Sequence, residues 1–476
     1  MVSGPASTFD RPTPLEALGT SAFSRVAAAR QADGNAVLLL CDAAANYPAW
    51  LRTIAGARRT VHLENYIIAE DCVGRVFADA LVEAVRRGVR CRVLYDWLGC
   101  RTKTSRHFWA MLRAAGVEVR CYNPPRLGNP LAWISRDHRK ILCVDGQVAF
   151  TGGLCIGHEW EGDPPRKLSP WRDTAVEVRG PAVAHFEAAF ADSWVTAGAP
   201  ITPEDVPRPE DIARAGGLSM WVIAGYPNSM GLYKLEQLIA EIVEHSLWLS
   251  DAYFVATTGY VRALSGAARA GVDVRLLVPG SSNWPIVRTL SQAGYRPLLE
   301  AGVRVFEWNG SMMHAKTAVA DGCWTRIGSS NSNFASWITN RELDVTIKDP
   351  GFAKEMEAVY EHDLDNATEI VLDTGSEGMA DSAKHHARLA HAGRLVAGVV
   401  GLGNIVGATV SQRRAPGPAE AIVLSVGAAS LLVLSVSAFI LPRLFAYFLG
   451  TLSAWIGVAA LVRARKLRTS DPVRKQ

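Results

Sequence analysis

Two stretches of this chain carry the same reactive side chains in the same register. In SRDHRKILCVDGQVAFTGG, His138 is followed by Lys140 at +2, Asp145 at +7 and Gly152 at +14. In MMHAKTAVADGCWTRIGSSN, His314 is followed by Lys316, Asp321 and Gly328 at the same offsets. A neutral imidazole, with an ordinary pKa of about 6.5, can attack phosphorus, and a protonated one can donate to the alcohol oxygen that leaves. Two lysines beside such a pair would neutralise the charge on the equatorial oxygens of a phosphodiester without a metal. The residue types therefore point to phosphoryl-group transfer that needs no cofactor and no metal ion.

The segments around both motifs alternate as strands do, so that each histidine and its lysine project from one face. Upstream, VHLENYII, GRVFADALVEAVRRG and VRCRVLYDWLG read as strand, helix and buried strand. LWLSDAYFV, GYVRALSGAARAG and VDVRLLVPG repeat that order at 247–280, and AGVEVRCY (115–122) matches AGVRVFEW (301–308). An internally duplicated α/β unit is expected, its two copies related by a pseudo-twofold. Glu64 and Tyr66 end one strand where Asp251 and Tyr253 end its counterpart. These positions suit either the lining of a cleft or core packing.

The doubled H-x-K-x4-D signature resembles that of the phospholipase D superfamily, and the wider pattern is closest to bacterial cardiolipin synthases. HLENYI, GGLCIGHEW, WRDTAVEVRGPAV, DAYFV, GSSN and NREL carry the resemblance, which runs from about Gly34 to about Asp373. It implies two tandem phospholipase D-like α/β domains, with mixed sheets flanked by helices, that share one cleft. It also implies a phosphohistidine intermediate, with His138 as nucleophile, His314 as general acid, and Asp145 and Asp321 as structural residues. Each histidine needs an acceptor for its other ring nitrogen. Asp173 in WRDTAVEV and Glu342 in TNRELDV occupy equivalent points for that role. By the family pattern, Ser329 and Asn331 should hydrogen-bond phosphate oxygens, with Gly153, Tyr66 and Tyr253 completing a substrate-binding set. The first half departs at Cys155, where asparagine is common, and at His158, where an acidic residue is common. Arg101, Lys103, Arg106 and Arg126 read as a solvated loop, with binding of an anionic headgroup as the alternative.

The pattern divides the chain into an N-terminal extension (1–33), domains at 34–209 and 210–374, a linker with an interfacial or short membrane helix (375–420), a transmembrane hairpin (421–462) and a basic tail (463–476). Residues 421–441 hold no charge, and as a helix they would span roughly 31 Å, matching a bilayer core of about 30 Å. Basic flanks at Arg413, Arg414, Arg463 and Arg465 place both hairpin ends in the cytoplasm of a bacterial cell, at its inner membrane. A third span at 395–410 would move the body to the other side. From residue 375 onward there are twelve Lys/Arg against four Asp/Glu, which leaves the first 374 residues near −4 of the overall +4. A body without net positive charge is a poor nucleic-acid binder. The eight scattered cysteines include no C-x-x-C pair and suit a reducing compartment. The expected function is a membrane-bound phosphatidyltransferase of the cardiolipin synthase type, with phosphatidylglycerol as acceptor. A hydrolytic phospholipase D, a phosphodiesterase nuclease and an inactive lipid-binding scaffold are the alternatives.

Overall fold

A computed structural model describes residues 12–125, 135–283, 291–292 and 294–372, with scattered positions between 437 and 458. Residues 12–124, 135–283 and 294–372 form one compact body. Its backbone is organised by a sheet of 15 strands among the described residues. The first half contributes β1 (Gln31–Cys41), β2 (Thr60–Asn65), β3 (Arg90–Asp96), β4 (Glu118–Tyr122), β5 (Lys140–Val144), β6 (Val148–Gly152) and β7 (Thr174–Arg179). The second contributes β8 (Leu218–Gly225), β9 (Ser246–Asp251), β10 (Asp273–Pro279), β11 (Arg304–Trp308), β12 (Lys316–Ala320), β13 (Trp324–Gly328), β14 (Glu342–Lys348) and β15 (Ala367–Ile370).

Strand order reads β4-β3-β2-β5-β6-β7-β1 outward to one side and β8-β14-β13-β12-β9-β10-β11 to the other, with β15 added at the far edge. The two halves are thus copies that meet where β1 pairs antiparallel with β8. Within each copy the βαβ crossover gives parallel pairs, β2 with β3 and β9 with β10, while the motif strand pairs antiparallel with the hairpin strand that follows it. Every residue of β5, β6, β12 and β13 is buried, because helices cover both faces. The mixed α/β sheets and their duplication match the expectation from sequence.

The boundary at residue 33 differs from that expectation. Helices Pro14–Ala17 and Thr20–Ala27 lie within the stretch read as an extension, yet Leu15, Phe23 and Ala27 are buried in the core of the second half. Phe23 packs 4.3 Å from Trp221, centroid to centroid, and the Trp221 indole N–H donates to Ser24 at 2.9 Å. The first strand then begins at Gln31, ahead of the expected boundary. A short amphipathic helix cannot hold itself together in water, so burial against a neighbour decides its place. No helix among the described residues is long and apolar enough to cross a membrane. The linker 375–420, the basic tail 463–476 and most of the hairpin 421–462 lie outside the described residues.

Candidate active site

Lys140 and Lys316 open β5 and β12, each beside the last residue of the strand that the preceding βαβ unit delivers, Asn65 and Asp251. His138 and His314 lie two residues earlier, where each motif is stitched to the opposite half. The His138 N–H donates to the Arg341 carbonyl at 2.8 Å, and the His314 N–H donates to the Arg172 carbonyl at 2.7 Å. Short parallel bridges, Asp137 with Arg341 and Arg172 with Met313, fix the same contact. The two motifs are thereby drawn into one buried site.

The orienting carboxylates are exchanged between halves. His138 Nδ1 lies 2.9 Å from Glu342 Oε2, and His314 Nδ1 lies 2.8 Å from Asp173 Oδ2. The sequence named both carboxylates without pairing either with a histidine, and the crossing follows from the stitching. Arg341 and Arg172 hold the segments that enter β14 and β7 against the opposite motif, so the next residue meets the other half's imidazole. The Ser329 carbonyl also lies 3.1 Å from His138 Nδ1, and the Gly153 carbonyl serves His314 in the same way. Carbonyl and carboxylate both accept, so Nδ1 carries the proton and Nε2 is left as the base on each ring.

The two pairs are electrostatically unequal. Burial pushes His138 below the ordinary imidazole value, opposed by Glu342. Burial, then Lys316 and Lys140, push His314 much further down. Burial alone would raise Glu342, but His138 and Lys140 bring its carboxyl below the usual range, so it is ionised. Burial pushes Asp173 up to about 6 against the pull of Lys316. The Lys316 ammonium is in turn brought down to about 8 by burial, against Asp173. Each lysine donates to the carbonyl of its own motif's histidine and lies over a tyrosine ring, Lys140 at 5.5 Å from Tyr66 and Lys316 at 5.9 Å from Tyr253. The same rings stand edge-on to His138 at 4.9 Å and His314 at 5.9 Å. The anticipated tyrosines are thus at the site in both halves.

The other sequence candidates surround this centre. The Ser329 hydroxyl donates to Glu342 Oε2 at 2.6 Å and accepts from Leu343 N–H at 2.9 Å. Its proton thus points to the carboxylate that orients His138. Asn331 is buried, with its amide oxygen lacking a partner among the described residues. Gly153 makes room for Asp173, since a Cβ there would come 2.1 Å from the carboxylate. Asp145 and Asp321 take positive φ of 56° and 46° and each accept three consecutive backbone N–H groups, at 58–60 and 244–246. Glu64 and Asp251 are buried; Asp251 accepts from Tyr253 N–H and Ser332 N–H.

The family described as "Cardiolipin synthase, PLD-like domain" matches residues 50–160 and 238–364, one stretch in each half. Cardiolipin synthase A of Pseudomonas aeruginosa (strain LESB58) is 32% identical over 356 residues, covering 74% of this chain and 71% of its own. The chain belongs to this cardiolipin synthase family of phospholipase D-like proteins. Cardiolipin synthase 1 of Bacillus cereus is 30% identical over 350 residues, 71% of this chain and 68% of its own. Phosphatidylserine synthase of Haemophilus influenzae Rd KW20 shares the fold, with a TM-score of 0.57 at 15% identity over 76% of this chain and 94% of that one.

Two tryptophans complete this cardiolipin synthase-family site. The Trp160 indole N–H donates to Asp173 Oδ2 at 2.9 Å, and its ring stands edge-on to His314 at 5.4 Å, with Trp171 at 5.6 Å. Tryptophans in GGLCIGHEW and WRDTAV were the available signal. Burial holds the Cys155 thiol up at about 11, although Lys140 and Lys316 both pull it down, so it is a neutral thiol. Behind His138, burial pushes up both Glu64 and its neighbour Asp137, and the mutual interaction raises Asp137 further. Arg172 donates to Asp363 at 2.7 Å and Arg341 pairs with Asp192, so each cross-half segment is anchored to a helix of the other half. All eight cysteines are unpaired. Asp71, His158 and Glu159 lie within 4.8 Å of one another, but Lys103 already neutralises Glu159, and His158 Nδ1 is bound to Asp71 at 2.7 Å.

Proposed function

We propose that this protein is a membrane phosphatidyltransferase that moves a phosphatidyl group from one phosphatidylglycerol to the hydroxyl of another, forming cardiolipin and releasing glycerol. The observation that carries the reading is the pair of buried imidazoles, each with a free Nε2, a carboxylate on Nδ1 and an ammonium beside it. In the first step His138 Nε2 attacks the donor phosphorus and the bond to the glycerol oxygen breaks. His314, protonated when the phosphodiester anion occupies the cleft, gives its proton to that oxygen. Lys140 and Lys316 neutralise the equatorial oxygens. In the second step the acceptor hydroxyl attacks phosphorus, His314 takes its proton, and the phosphorus–nitrogen bond breaks to restore His138.

Assignment of His138 as nucleophile rests on its partner. Attack makes the ring cationic, and the ionised Glu342 on its Nδ1 favours that cation, whereas Asp173 is the less acidic of the two carboxyls. The weaker base, His314, is correspondingly the readier proton donor once charged. The apolar stretches at 421–441 and 444–462 would anchor the body at the cytoplasmic face of the inner membrane. Incubation of the purified full chain with phosphatidylglycerol, followed by lipid mass spectrometry, tests the reading. Cardiolipin and glycerol in equal amounts are expected; phosphatidic acid in place of cardiolipin would make the protein a hydrolase.

A further inference from the structure

We propose that Trp97–Arg113 is a docking surface that holds the rim of the cleft against an anionic bilayer. The inference rests on the reading above that the substrates are bilayer lipids, and it names the face that meets them. Between residues 97 and 113 there are four Lys/Arg and no Asp/Glu. Lys103 is neutralised by Glu159, and Glu70 reaches the segment by accepting the Ser105 N–H. Arg101, Arg106 and Arg113 are exposed and in no ion pair among the described residues. Arg101 lies over the Trp97 ring at 5.2 Å.

Apolar groups are exposed along the same segment. Leu98 and Met111 are each 38% exposed. Helix Arg106–Ala114 is capped by the Ser105 hydroxyl and buries Phe108, Trp109 and Leu112. Its outer face carries Arg106, Ala110 and Arg113 at i, i+4 and i+7, with His107, Met111 and Ala114 in the next row. Cations mixed with exposed leucine and methionine fit the headgroup zone of an anionic leaflet.

The segment is also fastened to the site. Gly99 lies against the residue that faces His138, since a Cβ there would come 2.0 Å from the Tyr66 carbonyl oxygen. Glu70 N–H donates to the Lys103 carbonyl at 2.9 Å, and the Thr104 hydroxyl donates to the Ile68 carbonyl. Asp96, at the start of the segment, accepts the N–H of Asp137, the residue before His138, at 2.9 Å.

The test uses the full chain in lipid nanodiscs, with an environment-sensitive fluorophore on Met111→Cys in a Cys72→Ser background. Discs of phosphatidylcholine are compared with discs enriched in phosphatidylserine, an anionic lipid that is not the substrate. A blue-shifted emission, quenched by lipid-borne quenchers, is expected on the anionic discs alone and should fade at high salt. Arg101→Glu with Arg106→Glu should lower the lipid-contacting population by at least about 30-fold, the loss expected from removing two cations at about a factor of five each near an anionic leaflet. Should that pair fail to fold by circular dichroism, Arg101→Gln with Arg106→Gln takes its place. Equal emission on both kinds of disc, or emission unmoved by the substitutions, overturns the proposal. The reporter reads depth and not turnover, so a shift seen in protein that makes no cardiolipin would refute the transferase reading and leave the surface standing.

Discussion

Replacing Glu342 with glutamine removes one charge from the site while keeping nearly the same shape. In the native arrangement a single oxygen, Oε2, accepts from both His138 Nδ1 at 2.9 Å and the Ser329 hydroxyl at 2.6 Å. A glutamine amide oxygen can take that place, which turns its NH2 toward the Asn340 amide, now 3.3 Å from Oε1. Asn340 can accommodate this by an amide flip, so the tautomer and position of His138 are retained. What is lost is the anion that favours a cationic ring during attack. A hydrogen bond to a charged group contributes about 1.5–3 kcal/mol, so kcat should fall roughly 10- to 150-fold, with KM little changed. Without the anion His138 also becomes a weaker base, and the acid limb of kcat/KM should move to lower pH. Cardiolipin formation from phosphatidylglycerol in mixed micelles, followed by mass spectrometry and paired with thermal unfolding, reads both effects. Unchanged turnover in a folded Glu342→Gln protein would show that the contact does not support attack by His138.

Other outcomes are equally specific. In the native enzyme kcat/KM should fall as pH rises through about 8, because burial holds the Lys316 ammonium that low and its charge is needed to bind the phosphodiester; a profile flat across that range would remove Lys316 from the charge-neutralising role. Turnover should survive excess chelator, since two ammonium groups supply the positive charge; complete loss restored by a divalent cation would contradict this. Arg172→Ala should destabilise the body by about 3–5 kcal/mol, because it strands the buried Asp363 carboxylate without its partner. Chemical denaturation measures that cost, and a midpoint near the native one would mean that the link between the halves is not under load.

The order of strands and helices was legible because apolar runs such as VRCRVLYD and VDVRLLVP can only be buried strands, and because each recurs in a second copy. His138, Lys140, His314 and Lys316 were legible from their shared spacing. The exchange of Glu342 and Asp173 was not, since it arises from backbone pairing between segments 204 and 141 residues apart, which no local pattern encodes. The hydroxyl of Ser329 could equally face a phosphate or a carboxylate, and only the approach of β14 decides between them. The place of Trp160 depends on packing, which sets its N–H on Asp173, and no spacing in the sequence encodes that contact. The N-terminal helices were read as an extension because their few apolar residues find a partner only in the second half, some two hundred positions away.

The most direct measurement is to trap and map the covalent intermediate. A phosphatidyl donor with a good leaving group needs little protonation to react, so the general acid becomes dispensable while the nucleophile does not. His314→Ala protein should therefore accumulate an acid-labile phosphatidyl adduct on His138, and His138→Ala protein should form none. An adduct found only in His138→Ala protein and mapped to His314 would reverse the assignment, and the absence of any adduct in either variant or in the native enzyme would contradict the phosphohistidine route.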